Sequence, residues 1–379
     1  MIPDNHMENR NLLSELPPPP DGKTGWPWDK EVDSEIYGTL DSLPMISIVT
    51  PSFNQGKFIE KTIRSVLLQN YPNLEYFIFD GGSTDDTLRI IEKYSKWITH
   101  WTSEKDNGQT DAINKGIERC SGIIFNWLNS DDYYSEECFK ILVENFEPGK
   151  TKMLAGDYRI FQDDGKEEDK LIDFRLQETI EETLAIVLIN QPSCFFSLDS
   201  IKGLGELNVN LQYVMDQDIW KRFLFTYGQE EVRYVNKLLA NFRIHSESKT
   251  YQFEFAKEYN MIFASIARKC GMSAQAEFLE KYHGINESGK YEFKLEFDEK
   301  SLKTGKGAIA NVLYQIARGL YTAGDYVVLG NCLSVIDTKY LNGKQRSYMQ
   351  KLRIKKMLHK LNILSLFNFF MKAGKSVTF

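Results

Sequence analysis

The chain has 379 residues, 42% hydrophobic and 13% aromatic, enough to bury a full core and to build two to three domains. No apolar run approaches the ~20 residues of a membrane-spanning helix, no basic-then-apolar leader opens the sequence, and the five cysteines, Cys120, Cys138, Cys194, Cys270 and Cys332, show no paired metal-type spacing. A cytoplasmic protein with mostly buried, reduced thiols is expected. Its net charge of −7 hides a basic end, because residues 338–379 hold ten Lys and Arg and no Asp or Glu and so leave −17 on the rest.

Residues 1–44 contain the run Pro17-Pro18-Pro19-Pro20 and the turn Trp26-Pro27-Trp28, a composition that favours extended backbone and reads as an arm lying on the next domain. From 45 to 250 strand and helix signals alternate, the pattern of a mainly parallel sheet covered on both faces. Residues 45–50 form a buried β-branched strand that breaks at Pro51-Ser52-Phe53-Asn54-Gln55-Gly56, and a helix follows with Ile59, Ile63, Val66 and Leu67 on its apolar face. Residues 74–79 form a second strand that delivers Asp80 to its C-terminal end. The glycines after it let backbone approach a ligand, and Ser83 with Asp86 has the spacing of a capping box for a helix through Leu88, Ile91 and Tyr94.

Another helix opens at Asp106-Asn107-Gly108-Gln109-Thr110-Asp111 and runs through Ile113 and Ile117. The apolar run 123–127 then ends in Leu128-Asn129-Ser130-Asp131-Asp132, which places adjacent carboxylates at the exposed end of a buried strand. Such acids repel and lose hydration unless something compensates. A divalent ion bridging to a diphosphate is one compensation, and a capping role for a helix beginning near Ser135 is the other reading.

Residues 251–379 read as helices, with one apolar stripe of Phe255, Tyr259, Ile262, Phe263 and Ile266 and another of Ile309, Val312, Leu313, Ile316 and Leu320. In the tail, Leu352, Met357, Leu358, Leu361, Leu364, Leu366, Phe367, Phe369 and Phe370 interleave with lysines and arginines. This describes either a basic amphipathic helix on an anionic membrane surface or a helix packed on the protein with a solvated basic face.

Ser47-Ile48-Val49-Thr50-Pro51-Ser52-Phe53-Asn54, Asp80-Gly81-Gly82-Ser83-Thr84-Asp85, Ser103-Glu104-Lys105-Asp106-Asn107-Gly108-Gln109 and Asn129-Ser130-Asp131-Asp132 resemble, in order and spacing, the catalytic domain of family 2 glycosyltransferases of the bacterial cell-surface polysaccharide type. The resemblance spans roughly residues 45–250. It implies a GT-A fold, in which a Rossmann-like mixed sheet carries helices on both faces, followed here by a helical C-terminal region. It also implies inverting, non-processive transfer of a hexosyl unit from a nucleotide-diphosphate sugar to a hydroxyl acceptor.

Carried onto these positions, the resemblance makes Asp80 the acceptor for the imide N–H of a uracil or thymine ring, which favours a UDP-sugar. Thr50, Pro51 and Phe53 line the base and ribose pocket, although Phe53 packed in the core is the other reading. Asp106, Gln109 and Asn114 face the phosphates or sugar from their helix start. The family's Asp-x-Asp motif begins here with Asn129, so Asp131 inherits the metal, Mn²⁺ or Mg²⁺, with Asp132 as a second ligand and Asn129 and Ser130 on the donor. In Tyr213-Val214-Met215-Asp216-Gln217-Asp218, where Met215 replaces a usual Glu, Asp216 matches the base and Asp218 is its alternative. Arg243 and His245 match an element near the diphosphate or metal, Arg243 to pair with phosphate and His245 to ligate the ion or steady the leaving group, and Gln191 borders the acceptor.

A dehydrogenase needs Gly-x-Gly-x-x-Gly after the first strand, and a nucleotidyltransferase usually needs a glycine- and basic-rich phosphate loop near it; neither stands there. A processive synthase would carry membrane helices and Gln-x-x-Arg-Trp, also absent. A nucleotide-sugar-binding module with weak or no activity is the remaining alternative. The usual setting of such enzymes implies a lipid-linked glycan acceptor, as in lipopolysaccharide assembly, at the inner face of the plasma membrane, and no nucleic-acid partner.

Overall fold

The computed structural model describes residues 11–38, 43–162, 169–186, 190–246, 248, 253–282, 284–285 and 291–361. The chain forms two units, Met1–Leu176 with Leu188–Gln252 and Gln177–Val187 with Phe253–Phe379.

Among the described residues the first unit is built on one sheet of nine strands: β1 (Ile46–Ser52), β2 (Leu74–Asp80), β3 (His100–Ser103), β4 (Ile124–Trp127), β5 (Tyr133–Tyr134), β6 (Met153–Phe161), β7 (Lys170–Ile172), β8 (Cys194–Ser197) and β9 (Val232–Arg243). Their order is β3-β2-β1-β4-β8-β6-β9-β5, with β7 paired to β6. The first four are parallel, β8 runs antiparallel to both β4 and β6, and β6 and β9 are parallel. The sheet is therefore mixed, with its parallel part where the β-branched runs are densest. The registers Ser52↔Asp80 and Val49↔Trp127 bring the C-terminal ends of β1, β2 and β4 to one edge. Parallel strands flanked by helices are buried on both faces, and every residue of β1 and β4 is buried.

The helices of this unit are α1 (Leu12–Glu15), α2 (Ile59–Leu67), α3 (Thr87–Tyr94), α4 (Gln109–Arg119), α5 (Cys138–Asn145), α7 (Leu198–Gly203) and α8 (Met215–Tyr227), while α6 (Ile180–Leu184) belongs to the other unit. Ser83 is not the cap of α3. That helix starts at Thr87, and the Ser83 hydroxyl bonds Asp80 and the Asn54 N–H instead, while Asp85 accepts from the Thr87 N–H. Neither strand-end acid caps a helix at Ser135, because α5 begins at Cys138.

The proline-rich arm is held by a buried charge. Arg64 on α2 is fully buried, and its guanidinium donates to the carbonyls of Pro17, Pro27 and Trp28 and to the Tyr94 hydroxyl. Leu12, Leu16, Val32 and Tyr37 join the core that includes Ile46, Ile63 and Tyr76.

The second unit packs α6 with α9 (Phe253–Lys269), α10 (Ser273–Tyr282), α11 (Glu299–Ala323), α12 (Tyr326–Val335) and α13 (Gly343–Lys360). Ile262, Phe263 and Ile266 of α9 and Ile309, Val312, Leu313 and Leu320 of α11 are buried, as their 3.6-residue spacing requires. Glu182 of α6 accepts from Asn342 and Gln345 at the start of α13, and Gln345 also donates to Asn311. The tail residues Leu364, Leu366, Phe367, Phe369 and Phe370 lie outside the described residues. All five cysteines are buried and free, and no described helix is long and apolar enough to cross a membrane.

Candidate active site

Asp80 ends β2 with a carboxylate that is almost fully buried and fixed by four donors: the N–H groups of Gly82 and Ser83 and the hydroxyls of Ser83 and Ser103. Three of these reach Oδ2 and one reaches Oδ1, so acceptor capacity remains on Oδ1. Thr50 is buried against the Tyr76 hydroxyl at 3.1 Å, and Pro51 is buried beside it in β1. Phe53 lies in the following turn with 59% of its surface exposed, which removes the core-packing reading.

Asp106 packs on the same corner. A Cβ on Gly81 would lie 3.1 Å from its Oδ1, and that oxygen accepts from the N–H of Gly108, whose φ of +98° suits glycine. Gln109, the first residue of α4, donates to the Asn129 side chain over 2.7 Å and so links the α4 start to the end of β4. Asn114 sits further along α4, where its amide both donates to and accepts from the backbone of Leu207 at 2.9 Å. Its side chain thus fastens α4 to the loop before α8.

The loop after β4 is held from two sides. Thr62 on α2 donates to the carbonyls of Ser130 and Asp132, Ser65 accepts from the Tyr134 N–H, and Gln69 both donates to the Ser135 carbonyl and accepts from the Phe139 N–H. From β9, the Arg243 N–H donates to Asp132 Oδ1 at 2.9 Å and the Arg243 Nε donates to the Asp131 carbonyl at 2.8 Å. The Arg243 guanidinium is buried over the rings of Phe58 and Phe161, 4.7 and 4.6 Å from their centroids. Sequence reasoning missed Thr62, Ser65, Gln69, Phe58 and Phe161; only the i, i+3, i+7 spacing of the three polar residues on α2 hints at a shared face.

Between these supports, His245 Nε2 stands 3.0 Å from Asp131 Oδ2, and its ring packs on Phe58. Asp132 departs from this pair. It is buried, Oδ1 is taken by Arg243, and Oδ2 has no hydrogen-bond partner. Burial first, and then the neighbouring Asp131 charge, push its pKa well above the usual carboxylate range and so favour the protonated acid. Among the described residues no three His, Cys, Asp or Glu side chains form a group able to hold a metal ion. The three expected ligands therefore resolve into a pair, Asp131 with His245, and a buried acid facing inward.

The two candidate bases also separate. Asp218 is buried in a two-pronged ion pair with Arg222, at 3.0 and 2.7 Å, and Arg222 in turn donates to the carbonyls of Leu204 and Glu206. Asp216, at the start of α8, is half-buried and accepts only from the neighbouring Gln217 N–H among its described hydrogen bonds. Burial pushes its pKa to about 6, against the lowering influence of Lys221. Lys221 is itself fully buried, donates to Gln217, and is pushed down to about 7 by burial. The charge of Asp216 is felt at the Cys194 thiol, which burial raises first. Gln191, three residues before Cys194, is buried and donates to the Trp127 carbonyl and the Asn126 side chain, both at 2.6 Å. Its amide nitrogen therefore braces the end of β4.

Residues 47–201 match the family described as Glycosyl transferase family 2. The chain is 27% identical over 246 residues to the Bacillus subtilis glycosyltransferase TuaG, named for teichuronic acid biosynthesis, a match covering 62% of this chain and 94% of TuaG. It is 25% identical over 269 residues to the chondroitin synthase of Escherichia coli, covering 69% of this chain but 38% of that protein. The structure of S. aureus TarS 1-349 with UDP-GlcNAc shares the fold, with a TM-score of 0.51 at 16% identity, over 78% of this chain and 91% of TarS 1-349. The TarS likeness shows the shared fold, and on the family match and the named relatives the chain is a glycosyltransferase, with residues 47–201 belonging to family 2.

Proposed function

We propose that the protein is an inverting, metal-dependent hexosyltransferase that moves one sugar at a time from a UDP-sugar to a hydroxyl of a lipid-linked glycan in cell-surface polysaccharide assembly. The observation that carries the chemistry is the Asp131–His245 pair at the end of β4, on the same sheet edge as the anchored Asp80.

Asp80 presents Oδ1 to the imide N–H of uracil, with Thr50, Pro51 and the exposed Phe53 around base and ribose. Cytosine lacks that donor, which gives the selectivity a physical basis. Asp131, with His245 beside it, would hold Mn²⁺ or Mg²⁺, its carboxylate oxygen being the hard ligand such an ion takes. The bound ion would offset the charge developing on the leaving diphosphate. Asp106, Gln109, Asn129 and Ser130 surround the sugar and phosphates.

The acceptor hydroxyl attacks the anomeric carbon as the bond to the diphosphate breaks, and its proton passes to Asp216. A carboxylate with a pKa of about 6 is ionised at neutral pH yet basic enough to accept that proton. Asp218 is a poorer base because Arg222 holds its charge in place. The UDP-GlcNAc bound by TarS and the polysaccharide names of TuaG and chondroitin synthase support the donor and product classes. The basic tail supports work at an anionic membrane surface on the cytoplasmic side.

A screen of nucleotide sugars by thermal shift, with Mn²⁺ and with chelator, tests this reading. Stabilisation by UDP and one UDP-sugar only when metal is present is expected. Equal stabilisation by CDP-sugars, or none by any nucleotide, would overturn it.

A further inference from the structure

Helix α13 has two apolar faces. One carries the buried Gln345, Met349 and Leu352, which seat the helix on its own unit. Ile354 lies nine residues after Gln345, about two and a half turns on, and so points away from that seat. Met357 and Leu361 continue its row, and the three are 49%, 55% and 58% exposed. At the α13 end, Tyr326 of α12 stacks on His359 at 3.9 Å, and the adjoining Val327 is 79% exposed. Large apolar side chains left in line on a surface mark a contact face.

The charges on α13 itself are of one sign, while the exposed Asp325 stands before Tyr326 on α12. From 343 to 360 there are seven Lys and Arg and no acid. Arg353 and Lys355 are used to fasten the helix, donating to the Leu333 carbonyl and the Tyr321 hydroxyl. Lys344, Arg346, Lys351 and Lys360 are exposed. Lysine and arginine stems can lie along an apolar surface while their heads reach polar groups above it. An apolar row edged by such cations fits the boundary between headgroups and acyl chains of an anionic bilayer, where burial and charge attraction act together.

We propose that the outward face of α13, through Ile354, Met357 and Leu361, is the membrane-docking surface of this protein. The inference deepens the membrane-surface reading above by assigning it to one ordered helix face, separate from the segment after Leu361.

The test is co-sedimentation of the full-length chain with vesicles of phosphatidylcholine alone and of phosphatidylcholine with phosphatidylglycerol, at low and high salt. The triple variant Ile354→Ser/Met357→Ser/Leu361→Ser is compared with wild type. Wild type should sediment with the anionic vesicles, less so at high salt, and the variant should lose about tenfold in affinity with an unchanged Tm. Anionic-vesicle binding that the variant retains in full would overturn the assignment to α13 while leaving the membrane-surface reading in place. Wild type that fails to bind, or binds neutral vesicles equally, would overturn both. UDP release with a water-soluble acceptor, measured in parallel, should be the same for both proteins and reports separately on the transfer reading.

Discussion

Arg243 Nε donates to the main-chain carbonyl of Asp131 over 2.8 Å, so the guanidinium grips the loop by its backbone. With Phe58 and Phe161 on its faces, it positions the strand-end carboxylates. Arg243→Met removes this bond and leaves the carbonyl to find another donor. We expect a loss of about 1–3 kcal/mol in stability and weaker Mn²⁺-dependent UDP binding. Thr62→Val, which deletes a hydroxyl shared by the Ser130 and Asp132 carbonyls, should act in the same direction. Thermal melts and UDP calorimetry on both variants provide the check; a drop in Tm without any change in UDP affinity would separate the loop from the site.

Asp131→Asn keeps the shape of the side chain and removes its charge beside His245. Metal-dependent UDP binding should disappear while Tm stays close to wild type, because a hydrated divalent ion depends strongly on each anionic ligand. Calorimetric titration of UDP with and without Mn²⁺ decides it, and unchanged affinity would sink the metal assignment.

The two acids of α8 should fail in different ways. Asp216→Asn is expected to bind UDP-sugar normally and lose turnover, the pattern of a group that acts mainly in the transition state. Asp218→Asn strands the buried Arg222 guanidinium, a defect worth about 3–5 kcal/mol, and should show first as a lower Tm. If Asp218→Asn melted normally yet lacked turnover, the base would be Asp218.

Turnover should rise with pH through a midpoint near 6, because Asp216 must be ionised to accept a proton and burial raises its pKa to about 6. Lys221 lowers that value, so Lys221→Met should move the midpoint upward. A kcat profile measured at saturating donor and acceptor tests both statements.

Much of the fold was readable because β-branched runs and 3.6-residue stripes report local structure directly. The places of Asp80, Asp106, Asn129 and Asp131 were legible for the same reason: each ends a strand or stands in the turn after one, and chain order locates such ends. What escaped depends on distant partners. Thr62, Ser65 and Gln69 look like an ordinary polar face until the 130–139 backbone is laid against them. Asn114 looks like a ligand-facing amide until Leu207, far along the chain, takes both its ends. Ser83 had the spacing of a cap, but Asp80 and Asn54 compete for its hydroxyl. The pairing of Asp131 with His245, 114 positions apart, has no local signature.

The family match begins at residue 47, yet Arg64 places its charge among the carbonyls of Pro17, Pro27 and Trp28. Arg64 stands on the same short helix as Thr62 and Ser65, which carry the Asp131–Asp132 loop. A shortened protein starting at Met45 would thus retain every residue named for donor or base and still lose three of four acceptors around a buried cation. It should be recovered as poorly soluble, protease-sensitive material. The arm is in this sense the foundation on which the helix beneath the loop rests, and domain borders drawn from family likeness cut through that foundation.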